Sequence, residues 1–180
     1  YLLPNAGLTD TTAPYFAPYA APEDFKPEKV VSTDIATVGL FPENAAIYIG
    51  NIDLAIDHHP SFESFGKENI VRPEAAACGE LMYDILAKLG PITAEIALPL
   101  YVAVSTDTGC FRYANTTAHT FATAAKCAAA GARVYELNQE LFETNTLGRL
   151  KMQAWIVDHM KMLRNISERK PARIEKYIME

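Results

Sequence analysis

The sequence has few of the features that mark several protein classes. Its 180 residues include three cysteines, Cys78, Cys110 and Cys127, without CxxC spacing. This odd number predicts reduced thiols in a cytoplasmic protein and argues against a disulfide framework or a zinc knuckle. No apolar run approaches the roughly 20 residues of a membrane span, and no secretory signal is visible. We therefore expect no membrane partner.

Positive charge is also scarce. The chain has 16 Lys and Arg against 22 Asp and Glu, which gives a net charge of −6. A protein that grips long duplex nucleic acid needs a concentrated set of phosphate contacts, so we expect no partner of that kind. A short oligonucleotide or a nucleotide phosphate ester, drawn to bound metal cations, remains compatible with an acidic surface.

The pattern of apolar residues predicts strands first and helices afterwards. A Pro-rich surface connection with a short helix is expected at 10–29. Buried strands are expected where apolar runs end at turn residues, at 30–33, 46–49 and 52–56. Helices are expected at 75–89, 93–105, 118–130 and 147–163. This order predicts an α/β fold, a three-layer sandwich around a mainly parallel sheet. The apolar helix at 93–105 suits the sheet or a second copy of the chain, which leaves a homodimer open.

The strongest candidate for a functional site is the string Asp57-His58-His59, directly after the strand expected at 52–56. Open α/β sheets bind their ligands at the carboxyl ends of strands. Imidazole and carboxylate together suit Mn²⁺, Zn²⁺ or Fe²⁺. A His-His pair alone is more often structural or exposed, so the prediction depends on other residues.

Three other residues fit the same site. Asp34 ends the strand at 30–33 and is expected beside Asp57, although it would also serve as a cap. Asp107 lies in the polar turn 105–109, where an Asx-turn is the alternative. Arg112 offers a guanidinium for bidentate phosphate binding, or for a surface ion pair.

Several segments together resemble the motifs of the DHH phosphoesterases. Residues 31–34 resemble the second motif, residues 55–69 the third and residues 105–117 the fourth, while the alanine-led helix start at 75–83 is typical of the family. They occur in the family's order and spacing. The subgroup that the chain resembles most is the RecJ-like bifunctional oligoribonuclease and 3′-phosphoadenosine 5′-phosphate phosphatase (nanoRNase) group.

The resemblance implies a two-metal phosphoesterase acting on short oligoribonucleotides or nucleotide phosphates. The usual metal is Mn²⁺, with Mg²⁺, Fe²⁺ or Co²⁺ as alternatives. By analogy Asp34 would bridge two ions, His58 would ligate one and Asp107 the other. His59 would touch the scissile phosphate or assist the leaving oxygen, and Asp57 would orient a histidine and fix its tautomer.

The chain also departs from the family's pattern. The first motif, a histidine followed by two spaced aspartates, is not found before Asp34, and the smaller C-terminal substrate-binding domain is not recognisable. We therefore expect a domain truncated at both ends, with a partial catalytic domain at 1–163 and a linker at 164–180. Position 62 is Phe where a small polar residue is commoner. The alternatives are a catalytically incomplete metal-binding or interaction domain, and a pyrophosphatase- or exopolyphosphatase-like member of the same fold.

Overall fold

The computed structural model describes residues 2–3, 13–162 and 177–178. The chain divides into two compact units, residues 1–142 and residues 143–180. All the predicted site residues lie in the first unit. Among the described residues, no helix is both long enough and apolar enough to cross a membrane.

A three-stranded parallel sheet forms the centre of the first unit. Its strands are β1 (Val31–Thr33), β2 (Leu54–Asp57) and β3 (Glu68–Val71), in that spatial order. In the register, Thr33 pairs with Ile56, and Asp57 pairs with Val71. The α/β class and the parallel sheet are thus confirmed. Because the strands run in one direction, their carboxyl ends meet at a single edge of the sheet.

The described part of this unit also contains α-helices. They are α1 (Ala13–Phe16), α2 (Cys78–Leu89), α3 (Ala94–Asp107), α4 (Ala118–Ala129) and α5 (Val134–Asn138). Short 3₁₀ helices span Ala17–Tyr19, Val38–Leu40 and Glu43–Tyr48, and a π-helical turn spans Gln139–Glu143. Helix α2 packs on β2, where Leu81 and Ile56 are buried together, and α3 and α4 pack on α2 and on each other. The short helix α1 within the Pro-rich connection and the helix α4 agree with the sequence.

Asp53 ties together the segments that lead into all three strands. Its carboxylate accepts hydrogen bonds from the Val30 N–H at 3.0 Å and from the ammonium groups of Lys29 and Lys67, each at 3.1 Å. The Val30 N–H, followed by the two lysines, lowers the pKa of Asp53. This arrangement aligns the amino ends of the strands, and therefore also their carboxyl ends.

The second unit contains helix α6 (Leu147–His159) and an antiparallel pair of short strands, β4 (Lys161–Met162) and β5 (Tyr177–Ile178). The predicted helix 147–163 is confirmed over most of its length, but it ends at His159. Position 163 and most of the predicted linker at 164–180 lie outside the described residues.

Two sequence-based assignments are wrong. The run 46–49 is not a strand, since the 3₁₀ helix Glu43–Tyr48 occupies most of it and Ile47 is 75% exposed. Short apolar runs do not distinguish strands from other structure. The third strand, β3, is exposed throughout, and its only apolar residues are the adjacent Ile70 and Val71. Helix α2 begins at Cys78 rather than at residue 75, because Ala77 has an extended backbone.

Candidate metal centre

The site lies at the carboxyl edge of the sheet, where β1 and β2 end. Asp34 directly follows β1, and its N–H donates to the carbonyl of Ile56 at 3.0 Å. Its backbone has a φ of 60°. Asp tolerates this left-handed conformation better than most residues do. The turn leaves the Asp34 carboxylate 44% exposed beside the end of β2.

His58 is the centre of the cluster. Its Nδ1 lies 3.1 Å from the carbonyl oxygen of Ala75. Because a carbonyl only accepts, Nδ1 carries the hydrogen, and the neutral ring keeps its lone pair on Nε2. That atom lies 3.4 Å from an oxygen of Asp34 and 3.4 Å from an oxygen of Asp107. Three electron-pair donors, one nitrogen and two carboxylate oxygens, therefore converge. Only a cation, either a proton or a metal ion, can interact favourably with all three.

His59 is oriented by a buried carboxylate. Oδ1 of Asp57 lies 2.7 Å from Nδ1 of His59 and accepts from its backbone N–H at 2.6 Å. The Asp57 side chain is fully buried, and its second oxygen has no hydrogen-bond partner in the described part of the chain. The short contact places the imidazole hydrogen on Nδ1 and the lone pair of neutral His59 on Nε2. One ligand atom each from Asp34, His58 and His59 lies within 4.8 Å of the others.

These donors fit a divalent transition-metal ion. Atoms bonded at about 2.0–2.2 Å to one such ion lie roughly 3.0–3.5 Å apart around it. The two 3.4 Å separations at His58 have this size. A mixed set of imidazole and carboxylate suits Mn²⁺, Fe²⁺ or Zn²⁺ better than Ca²⁺, which prefers oxygen alone. The structure therefore brings Asp34, His58 and Asp107 together, as the sequence predicted, with His59 beside them.

Asp107 reaches the cluster from a helix rather than from a strand. It is the last residue of α3, and its side chain is 32% exposed. Burial, and then the charge of Asp34, raise the pKa of Asp107, whereas His58 and His59 act in the opposite direction. A bound cation would reverse this balance, because it favours the ionised carboxylate.

A left-handed turn follows Asp107 directly. Gly109, Cys110 and Phe111 have φ values of 55°, 58° and 62°. Thr108 holds the turn, since its hydroxyl donates to the Val104 carbonyl at 2.7 Å and accepts from the Phe111 N–H at 3.1 Å. Consecutive non-glycine residues in this conformation are costly, and such strain clusters at functional sites.

Arg112 contacts this turn. Its Nε donates to the carbonyl of Gly109 at 2.6 Å, and the residue is exposed. The contact that the structure shows is therefore with the backbone next to Asp107. Phosphate binding by Arg112 stays a prediction.

Asn115 is a site residue that the sequence did not reveal. Its amide nitrogen donates to the carbonyl of Ala76 at 3.1 Å and to the carbonyl of Asp107 at 3.2 Å. Ala76 follows Ala75, the acceptor for His58. Asn115 thus joins the segment that holds His58 to the segment that carries Asp107. A polar residue before Thr116-Thr117 gives no sequence signal for such a role.

Cys78 lies next to the cluster but stays a thiol. Burial first, and then the charges of Asp34 and Asp57, raise the pKa of Cys78 to about 12. Its Sγ donates to the carbonyl of Ile56 at 3.4 Å. Since only the thiolate ligates metal well, Cys78 is a packing residue here.

Comparison with known proteins gives sequence relatives over part of the chain, although no protein-family model matches it. A bifunctional oligoribonuclease and PAP phosphatase NrnA of Thermus thermophilus is 40% identical over 87 residues, 48% of this chain and 27% of that protein. A probable bifunctional oligoribonuclease and PAP phosphatase NrnA of Streptococcus mutans is 28% identical over 126 residues, 64% of this chain and 37% of that protein. The chain therefore spans only 27% and 37% of the length of these two curated relatives.

A solved structure supports the fold. An exopolyphosphatase-related protein from Bacteroides fragilis superposes with a TM-score of 0.66 and 21% identity, over 76% of this chain and 42% of that one. At this identity the likeness concerns the fold alone. The chain is thus similar in sequence to proteins named as oligoribonucleases and PAP phosphatases, and it shares the fold of an exopolyphosphatase-related protein.

Proposed function

We propose that this chain contains the metal-binding part of a DHH-family phosphoesterase that hydrolyses short oligoribonucleotides or nucleotide phosphates. One observation carries the proposal: Nε2 of His58, as a lone-pair donor, lies 3.4 Å from carboxylate oxygens of both Asp34 and Asp107. Without a cation this arrangement is electrostatically unfavourable, so a cation gives it a physical reason.

Asp34, His58 and Asp107 would hold Mn²⁺, and two ions in the complete site. When bound, the ions would neutralise the phosphate oxygens and activate the attacking water. Asp34 would suit a bridging role, because a carboxylate offers two oxygens and this one lies within 3.9 Å of ring nitrogens of both His58 and His59. The acidic balance of the chain, −6, suits a small phosphate ester that is recognised through bound cations.

His59 would act on the substrate itself. With its hydrogen on Nδ1 against Asp57, the ring presents Nε2, which in its protonated form would donate to a phosphate or leaving oxygen. The buried Asp57 carboxylate, 2.7 Å from Nδ1, would hold the ring in this orientation. Arg112 would bind a further phosphate oxygen if its guanidinium leaves the Gly109 carbonyl.

The substrate class rests on the relatives. Both NrnA proteins are named as oligoribonucleases and PAP phosphatases, and the similarity to the Thermus protein reaches 40% identity. Because the chain covers only 27% and 37% of them, the activity of the whole protein remains part of this proposal.

The test is Mn²⁺-dependent hydrolysis of the dinucleotide pApA, together with calorimetric Mn²⁺ binding. Both are measured on this chain and on a version extended upstream along its gene. We expect Mn²⁺ binding in each, and turnover in the extended version. His58→Ala and Asp107→Asn should abolish both, whereas His159→Ala, a histidine of α6 bonded to the carbonyl of Trp155, should change neither.

Three outcomes contradict the proposal. Full Mn²⁺ affinity in His58→Ala or Asp107→Asn would show that the substituted residue is not a Mn²⁺ ligand. Binding of Mn²⁺ without turnover in the folded extended version would favour a metal-binding or interaction domain. Hydrolysis of inorganic pyrophosphate or polyphosphate but not of pApA would favour the pyrophosphatase-like alternative.

A further inference from the structure

We propose that Phe41, Phe62 and Phe65 form a stacking surface for a nucleobase of the substrate, next to the candidate metal centre. This inference rests on the proposed function and narrows its substrate class. We call these three residues the aromatic cluster. Their aromatic rings would distinguish a nucleotide from a base-free phosphate.

The rings of the aromatic cluster contact one another obliquely. The Phe65 ring lies 5.2 Å from that of Phe41 at an interplanar angle of 77°, and 5.0 Å from that of Phe62 at 54°. All three side chains are half-buried. In a steeply tilted contact one ring presents its edge to the other, so the contact does not cover the faces of that ring, and a nucleobase would stack there.

Two loops carry the aromatic cluster, and both leave the sheet at the metal site. Phe41 lies on the segment after Asp34, while Phe62 and Phe65 lie on the segment after His59. The N–H of Phe62 donates to the carbonyl of His59 at 3.2 Å, within one turn. The aromatic cluster is therefore held at the same edge as the candidate metal ligands.

Hydrogen bonds fix these two loops to each other. The N–H of Glu63 donates to the carbonyl of Ala36 at 3.0 Å, and its carboxylate accepts from the N–H of Val38 at 2.9 Å. Ser64, with a φ of 53°, turns the chain between Phe62 and Phe65. None of these bonds involves the side chain of Phe62. The turn at position 62 therefore does not need a phenyl ring for its backbone geometry.

A nucleobase is the ligand that this surface suits. Stacking of a base on an aromatic side chain strengthens binding by roughly 5- to 150-fold per base and tolerates any base, since each has a π face. Inorganic pyrophosphate and polyphosphate have no base, so stacking would not strengthen their binding. With the phosphate at the metal centre, the aromatic cluster would bind the adjoining nucleoside and select short oligonucleotides irrespective of sequence.

The experiment compares pApA with its abasic dinucleotide analogue, which has the same phosphates and sugars without the bases. Their dissociation constants are measured by calorimetry with Mn²⁺ present. We expect Phe62→Ala to weaken pApA binding by about 5-fold or more and to leave the abasic analogue unaffected. Phe121→Ala removes another exposed ring, 56% accessible on α4, and should change neither constant.

Two further variants separate stacking from packing. Phe62→Leu keeps an apolar side chain against Phe65 but has no π face, so it should bind pApA as weakly as Phe62→Ala does. Phe62→Tyr should restore binding. Wild-type affinity in Phe62→Leu, equal losses for both ligands in Phe62→Ala, or no measurable pApA binding by the wild-type chain would each overturn the inference.

The same data separate this inference from the proposed function. If pApA binds more tightly than the abasic analogue through Phe62 but is not hydrolysed by the extended protein, the hydrolase proposal fails and the stacking surface stands. If pApA is hydrolysed and Phe62→Ala affects the binding of both ligands equally, the hydrolase proposal stands and the stacking surface fails.

Discussion

Replacing Asn115 by Ala should loosen the candidate metal centre without changing any of the proposed ligands. The Asn115 amide donates to the carbonyls of Ala76 and Asp107 at 3.1 and 3.2 Å. Ala76 adjoins the carbonyl that fixes the His58 ring, and Asp107 supplies a carboxylate to the same cluster. Loss of the amide therefore removes the cross-link between the two segments that place these side chains 3.4 Å apart.

The size of the effect follows from the two bonds. A neutral hydrogen bond contributes about 0.5–1.5 kcal/mol net, so the pair contributes roughly 1–3 kcal/mol, and the lower half applies because one of the bonds is exposed. In a unit of this size, that loss corresponds to a melting temperature lower by roughly 2–8 °C. Positioning of ligands adds a second effect, a Mn²⁺ affinity lower by about 10-fold or more.

Thermal unfolding and Mn²⁺ calorimetry measure these two effects separately. The matched control is Asn145→Ala, which removes one exposed bond, 3.3 Å long, to the carbonyl of Glu143. It should leave the Mn²⁺ affinity unchanged. If Asn115→Ala retains full Mn²⁺ affinity, or is no less stable than Asn145→Ala, the argument that Asn115 joins the two segments is refuted.

Three other changes test the site and its support. Asp57→Asn keeps the volume of the buried side chain but weakens the hold on the His59 ring, so pApA turnover by the extended protein should fall by about 10- to 100-fold; unchanged turnover would show that His59 needs no such orientation. Thr120→Val leaves the buried Glu80 carboxylate without its 2.6 Å donor and should lower the free energy of unfolding in urea by about 1–3 kcal/mol; a neutral result would mean that water replaces the hydroxyl. The pKa of Asp107 is raised in the folded chain, so ionisation of Asp107 lowers the metal-free stability as the pH rises through that pKa. Asp107→Asn should therefore unfold at a higher temperature than wild type at pH 7 without metal. A lower unfolding temperature would contradict the direction of this effect.

The elements that the sequence predicted well are those whose signal is local. Strand β2 is buried at three of its four positions, so its apolar run matches its environment. Helix α4 begins after Thr117, whose hydroxyl accepts from the Thr120 N–H, and the Thr120 hydroxyl accepts in return from the Thr117 N–H. Such capping depends on side chains a few residues apart, which a sequence displays directly.

The elements that it missed depend on partners far along the chain. Strand β3 exposes all four residues, and it exists because its backbone pairs with β2. The apolar run 46–49 lacks such a partner strand among the described residues, and Ile47 and Ile49 remain exposed there. Periodicity predicts burial, whereas the existence of β3 was decided by backbone pairing with β2, which composition does not reveal.

The candidate site was predictable in the same uneven way. Asp34 and His58 follow consecutive parallel strands, so their proximity follows from topology alone. Asp107 is the last residue of a helix, and the sequence of the turn around it does not indicate which edge of the sheet it lies beside. The contacts from Asn115 to Ala76 and Asp107 supply that placement, and they span 39 and 8 residues.

The three alanines before α2 connect the prediction error to the chemistry. Alanine is the best helix former, yet Ala77 is extended, with φ −153° and ψ 149°, and Ala75 to Ala77 are all buried. Had the helix begun at residue 75, the carbonyls of Ala75 and Ala76 would accept intrahelical bonds. Instead they accept from His58 and from Asn115, at 3.1 Å each. The local preference is overridden where the ring of His58 must be fixed, which is where a functional site is expected to break a propensity rule.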